Sequence, residues 1–187
     1  MPIYKSFNLI RIDAARIDEA CAAFFKWRDL NTYISSNSHR GLNIPESISE
    51  PMGCYCLGYL WNRGKVVGDA TDPETGRKIE MKATSNFDKD LSTFGPKCQF
   101  DDLIFLRYKL DDSLLFIYDL GVNSEEFGKY PANKKQTIAD IKAEGKRPHV
   151  SLYKLFVENK KLEPDIIFDI RKCQIIMDNR KDKTNRE

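Results

Sequence analysis

Two strand-like runs, Lys65 to Ala70 and Arg77 to Thr84, face each other across the turn cluster Asp72-Pro-Glu-Thr-Gly76. Pro-x-x-Gly between such runs signals a β-hairpin, and a hairpin here commits the middle of the chain to a sheet. Strand side chains alternate between faces. Lys78, Glu80 and Lys82 therefore share one face, and Ile79, Met81 and Ala83 the other. The apolar face can pack on a core. The polar face then carries a carboxylate and an ammonium two residues apart, with Asp69 arriving from the neighbouring run.

These residue types suit phosphodiester hydrolysis. Asp69 and Glu80 offer carboxylate oxygens to one or two Mg²⁺ ions, and the Met81 carbonyl offers a further hard ligand. Such a metal polarises a scissile phosphate and generates hydroxide near neutral pH. Lys82 beside it can orient or help deprotonate the attacking water and stabilise a pentavalent phosphate. The competing reading is an exposed hairpin face with an ordinary Glu–Lys pair, worth about 0–1 kcal/mol. Gly68 before the aspartate, the well-formed turn and the apolar alternate positions favour the chemical reading.

The chain resembles the PD-(D/E)xK nucleases, and more narrowly the small type II restriction endonucleases that cut GC-N-GC. The resemblance is carried by Cys54-Tyr-Cys-Leu-Gly-Tyr59, Gly68-Asp69-Ala70, Asp72-Pro73, Glu80-x-Lys82-Ala-Thr-Ser-Asn86, Phe94-Gly-Pro96 and Glu163-Pro-Asp-Ile-Ile-Phe-Asp-Ile-Arg-Lys-Cys173. It runs from Ala22 to Ile176, and the longer strings are more specific than the Asp–Glu–Lys trio. One departure is Gly68, where the motif has proline. The resemblance implies an α/β fold with a PD-(D/E)xK restriction-endonuclease-like core, a mixed central sheet of about five strands flanked by helices. It implies Mg²⁺-dependent cleavage of double-stranded DNA at a short GC-rich site, giving 5′-phosphate and 3′-hydroxyl ends, with Asp69, Glu80 and Lys82 as the catalytic trio. It also implies a DNA methyltransferase in the same system. A palindromic site needs two active sites, so a two-fold homodimer is the natural assembly.

In relatives of this class an acidic residue on a helix often completes the metal site. Glu50 is the candidate, set against a role in helix capping and dipole complementarity; Glu46 is the poorer one. For DNA contact, Ser85, Asn86, Thr93 and Lys97 follow directly after Lys82 and carry the needed donors. In Gly145-Lys-Arg-Pro-His149, Arg147 can reach guanine O6 and N7, Lys146 can meet phosphate or guanine, and His149 lies beside them. The same basic run could instead simply face a helix C-terminus. Arg40 and His39, in a polar loop, could touch phosphate.

Composition sets limits. A chain of 187 residues with 41% hydrophobic content fits one domain: 1–177, with the catalytic hairpin at 65–84, and a charged, flexible tail, 178–187. The net charge of +2 does not announce a nucleic-acid binder, so DNA binding would need local basic clustering. Five cysteines without paired metal spacing and two histidines give no zinc signature, which leaves free, reduced thiols. No run approaches a membrane span and the first residues are too charged for a signal peptide, so a soluble cytoplasmic protein is expected. Two other classes stay open: a repair or structure-reading nuclease of the same superfamily, and a non-catalytic DNA-binding module.

Along the chain, residues 1–11 read as a strand or arm. A helix capped by Asp13 or Asp18 runs to Tyr33, with Ile17, Ala20, Cys21, Phe24, Phe25 and Trp27 at helical spacing on its apolar face. A second helix starts near Pro45 or Ser49, holds Pro51 in its first turn and ends at 62–64. Strands are expected at Leu103 to Leu110 and Leu114 to Leu120, with a helix over Lys134 to Gly145. Ser151 to Glu158 reads as a strand or short helix. Asp165 to Cys173 reads as an apolar strand at a sheet edge or interface.

Overall fold

The computed structural model describes residues 9–64 and 68–180. Lys65, Val66 and Val67 of the expected hairpin, residues 1–8 of the expected N-terminal arm and 181–187 of the expected tail lie outside the described residues.

Helix α1, Ala14–Asn37, starts where the Asp13 carboxylate accepts the Arg16 N–H at 2.9 Å, as an N-cap should. Its stripe of Ile17, Ala20, Cys21, Phe24 and Trp27 is buried, and the Phe24 ring stacks on Tyr108 at 5.6 Å. The helix outruns its expected end by a turn and takes in the first residues of the polar loop. Helix α2, Glu46–Leu57, begins directly after Pro45, which holds φ at −64°. Pro51 therefore lies inside the helix and not in its first turn, leaving the Ser47 carbonyl without its usual intrahelical donor. Gly58, at φ 81°, ends α2 earlier than expected, with its N–H on the Cys54 carbonyl. The residues assigned to the helix end become strand.

Ten strands follow among the described residues: β1 Leu9–Arg11, β2 Leu60–Asn62, β3 Ala70–Thr71, β4 Lys78–Thr84, β5 Ser92–Thr93, β6 Asp102–Lys109, β7 Leu114–Asp119, β8 His149–Val150, β9 Ile166–Asp169 and β10 Gln174–Asp178. Eight form one mixed sheet in the order β1-β2-β3-β4-β6-β7-β9-β10, larger than the expected five. The pair β4–β6 is parallel and the other neighbours are antiparallel. The expected hairpin is present with a short first arm: Ala70 and Thr71 pair with Ile79 and Lys78. β9 is not an edge strand. It lies between β7 and β10, because β10, unassigned from sequence, pairs beyond it. The start of the charged tail is tied down: Arg180 pairs with Asp178 at 2.7 Å, and Asn179 N–H donates to the Asp165 carbonyl.

Both sheet faces are covered. Ile104, Leu106 and Tyr108 of β6 join Ile79 and Met81 in a core under α1 and α2. Leu103 and Phe105 point the other way, into a second core with Phe94, Phe100, Phe127 and Phe156. That core is closed by the 87–101 crossover, α3 Ser124–Gly128, α4 Ile138–Ala143 and a π-helical turn, Tyr153–Glu158. α4 is half its expected length, since a Thr137–Asp140 capping box starts it late. Asn133 caps a separate turn by accepting the Lys135 and Gln136 N–H groups. β5 and β8 form a separate two-stranded ribbon.

Candidate active site

The site forms where the β3–β4 ladder frays. Gly68 holds φ at 89°, and a Cβ there would lie 3.1 Å from the Ile79 carbonyl oxygen. Proline cannot adopt this positive φ, so the departure from the motif follows from the local backbone. Asp69 N–H donates to the Ile79 carbonyl at 2.8 Å. Its carboxylate then takes the place of a backbone acceptor and receives the Met81 N–H at 2.8 Å. This fixes Asp69 against β4 beside Glu80 and Lys82.

Glu80 is 8% exposed, and its Oε1 lies 2.5 Å from Lys82 Nζ. The Phe94 ring sits 5.2 Å from that ammonium. Phe94 is fully buried and packs beside the lysine. From α2, Glu50 approaches the same group, 9% exposed, and its Oε2 accepts the Trp61 indole N–H at 2.7 Å. Glu50 lies one turn into the helix and caps nothing at its start, where Pro45 stands.

The electrostatics are those of a site with surplus negative charge. Burial, and then Asp69, push Glu50 up to about 8, against the opposing Trp61 hydrogen bond. Burial, and then Glu80, push Asp69 up to about 6. Burial would lower Lys82, but the Glu80 carboxylate outweighs it and the lysine is raised, held as an ammonium. Cys98 meets the Glu80 side chain; burial, then Glu80, push its thiol up to about 12, so it stays protonated. The donors are hard oxygens of the kind Mg²⁺ takes, and a cation would offset the negative charge that, with burial, raises Glu50 and Asp69. Among the described residues no three such side chains converge closely enough to hold an ion as they stand.

A cleft of about 570 Å³ reaches this group at Glu50 and Lys82 and is lined further by Glu46, Ser85, Asn86 and Thr93 among others, but not by Asp69 or Glu80. A second, on the other side of Glu46 and Glu50, is lined by Asp69 and Trp61. Ser85, Asn86 and Thr93 thus stand on the rim beside Lys82. The ribbon brings His149 to them: Thr93 pairs with His149, and Thr93 Oγ1 meets His149 Nδ1 at 3.0 Å. Arg147 is exposed just before this strand, beyond Gly145 (φ 72°), where Lys146 N–H closes α4 onto the Ile141 carbonyl. Lys146 is engaged by Glu144 at 2.7 Å. Lys97 and Arg40 are exposed outside the cleft lining. Asp102 and Asp119 have structural partners: Asp102 binds the Arg77 guanidinium, and Asp119 Oδ1 accepts the Gly121 N–H.

Sequence reading missed three contributors. Trp61 orients Glu50. Asp90 accepts from the Ser92 and Ser151 hydroxyls and from the Leu152 and Tyr153 N–H groups, joining the crossover to the π-helical turn. Arg107 is 3% exposed in β6, and a charged residue on a core-facing position of Leu-Ile-Phe-Leu-Arg-Tyr-Lys was the available signal.

Comparison with known proteins matches the Bsp6I restriction endonuclease family over residues 12–159. The chain is 41% identical over 169 residues to the type II restriction enzyme Bsp6I of Bacillus sp. (strain RFL6), covering 90% of this chain and 97% of that relative. No solved structure matches. With a matched segment that runs from before α1 through the hairpin, the cleft and the ribbon, the chain belongs to the Bsp6I restriction endonuclease family.

Proposed function

We propose that the protein is a type II restriction endonuclease that hydrolyses double-stranded DNA at GC-N-GC in a Mg²⁺-dependent reaction. The observation that carries the reading is the Glu80–Lys82 pair at 2.5 Å beside an Asp69 carboxylate bound to the Met81 N–H, in a chain of this family. The sheet around them is read as a PD-(D/E)xK core within one nuclease domain, 1–177, followed by a charged tail.

Asp69, Glu80 and the Met81 carbonyl, with Glu50 from α2, would hold Mg²⁺. When bound, the ion supplies polarisation of the scissile phosphate and a water acidic enough to ionise near neutral pH. Lys82, in contact with Glu80, would stabilise charge on the phosphate oxygens and orient or help deprotonate the attacking water. Phe94 over Lys82 excludes water from one side of that ammonium and raises its electrostatic effect. Ser85, Asn86, Thr93 and His149 contact the backbone along the cleft. Arg147, Lys146 and Lys97 reach bases or phosphates from exposed positions, with Arg40 at the periphery. No helix among the described residues is long and apolar enough to cross a membrane. A cytoplasmic homodimer, partnered by a protecting methyltransferase, completes the reading.

The test is a short duplex carrying GC-N-GC and a control with one changed G·C pair, each incubated with Mg²⁺ and with EDTA. Cleavage of the first only, and only with Mg²⁺, is expected. Cleavage in EDTA would remove the metal, and equal cleavage of both duplexes would remove the site.

A further inference from the structure

We propose that Arg107 is a positioning residue for this nuclease: it locks the loop that follows the Glu-x-Lys strand, so that the DNA-contacting ribbon is held in fixed relation to Lys82. The inference rests on the nuclease reading above.

Arg107 is buried, yet among the described residues no carboxylate pairs with it. Burying an unpaired guanidinium is costly unless hydrogen bonds and aromatic faces compensate. They do. Nε donates to the Phe87 carbonyl at 3.1 Å and Nη2 donates to the same oxygen. Nη1 donates to the Tyr118 hydroxyl at 3.0 Å. The guanidinium lies 4.0 Å from the Phe87 ring centroid and 4.4 Å from that of Tyr153.

Each partner bears on the loop. Arg107 is the register partner of Thr84, two residues after Lys82. Phe87 follows three residues later, and the segment between them lines the cleft with Ser85 and Asn86. Downstream, Asp90 fastens the loop to the Tyr153 N–H, so Tyr153 touches both anchors. Two residues beyond Asp90, β5 begins and pairs with β8, which carries His149. The loop is thus fixed at Phe87 and at Asp90, between the catalytic strand and the ribbon. An apolar residue at position 107 would fill the core without desolvating a charge. It would hold no carbonyl, and the loop would lose the nearer of its two anchors.

The test uses the full chain with Arg107→Met, Arg107→Lys and Tyr118→Phe, on a duplex carrying the wild-type chain's own mapped site and on one with a single mismatch. Thermal melts run alongside kcat and KM. Arg107→Met should lower kcat on the mapped site by about tenfold to a hundredfold, the size of a small misplacement of catalytic groups. The ratio of kcat/KM between mapped and mismatched duplex should fall with it. Arg107→Lys, which keeps charge but not the fork, should fall in the same direction, with Tyr118→Phe milder. A merely structural role would lower the active fraction equally on both duplexes and leave the ratio unchanged, and that result overturns the proposal. Should Arg107→Met fail to fold, an unchanged ratio in the other two variants overturns it equally. A wild-type chain that cleaves no DNA would overturn the nuclease reading and this inference together, whereas wild-type cleavage with unchanged variants overturns this inference alone.

Discussion

Lys82 is half-buried beside Phe94 and contacts a buried Glu80, unlike the exposed Lys109–Asp112 and Lys146–Glu144 pairs of the same chain. Lys82→Ala is expected to leave DNA binding largely intact and to lower cleavage by at least about a hundredfold, the size of a lost transition-state contact. Wild-type rates in that variant would remove Lys82 from the mechanism. Glu50 makes a second, independent prediction. Its folded pKa of about 8 lies above the ordinary value of 4.5, so the native chain holds a proton that the unfolded chain has released. Stability is then fully present below about pH 4.5 and is lost as pH rises toward about 8. Metal-free protein should melt at lower temperature at pH 8 than at pH 6, and Glu50→Gln should flatten that slope. Mg²⁺ should restore more of the melting temperature at the higher pH. An unchanged slope in Glu50→Gln would place the buried charge elsewhere. The placement of Asp69, Glu80 and Lys82 side by side was readable because strand alternation and a hairpin turn are local. The Trp61–Glu50 bond was not, since it joins a helix to a strand whose existence depends on Gly58 ending α2 early.

At the scale of elements, α2 must lie flat on β4 for Glu50 to reach the site. Gly53 permits this: a Cβ there would lie 2.9 Å from Met81 Sδ and 3.2 Å from Leu106 Cδ1. Gly53→Val should therefore cost about 1–3 kcal/mol by overpacking, measured by denaturant unfolding, and lower cleavage by moving β4. The segment leading into β8 carries the other element-level prediction. Arg147→Ala should reduce sequence discrimination by about 1–3 kcal/mol if Arg147 reads guanine. Equal weakening on specific and random DNA would make it a phosphate contact instead. The long strands β6 and β7 and helix α1 were legible from periodicity. The two-residue strands β5 and β8 were not: they are too short to show a period and exist because residues over fifty positions apart meet. β10 was hidden for a related reason. Its exposed Ile175 and Ile176 sit on an edge, where alternation is weak and charge follows closely.

For the whole molecule, the modest net charge places the burden of DNA binding on the local array around the cleft and not on bulk attraction. Cleavage should still weaken with rising salt as phosphate contacts exchange for ions. Two strands of a palindrome ask for two sites, so sedimentation should give twice the chain mass, and a strict monomer that cuts both strands at once would contradict the dimer. The most direct measurement is digestion of a fully sequenced plasmid by the purified chain, with Mg²⁺ and with EDTA, followed by mapping of every fragment end. Discrete Mg²⁺-dependent fragments whose ends share GC-N-GC, absent with Lys82→Ala, are the predicted result. Intact plasmid in all conditions, or a smear without a shared motif, would contradict the account.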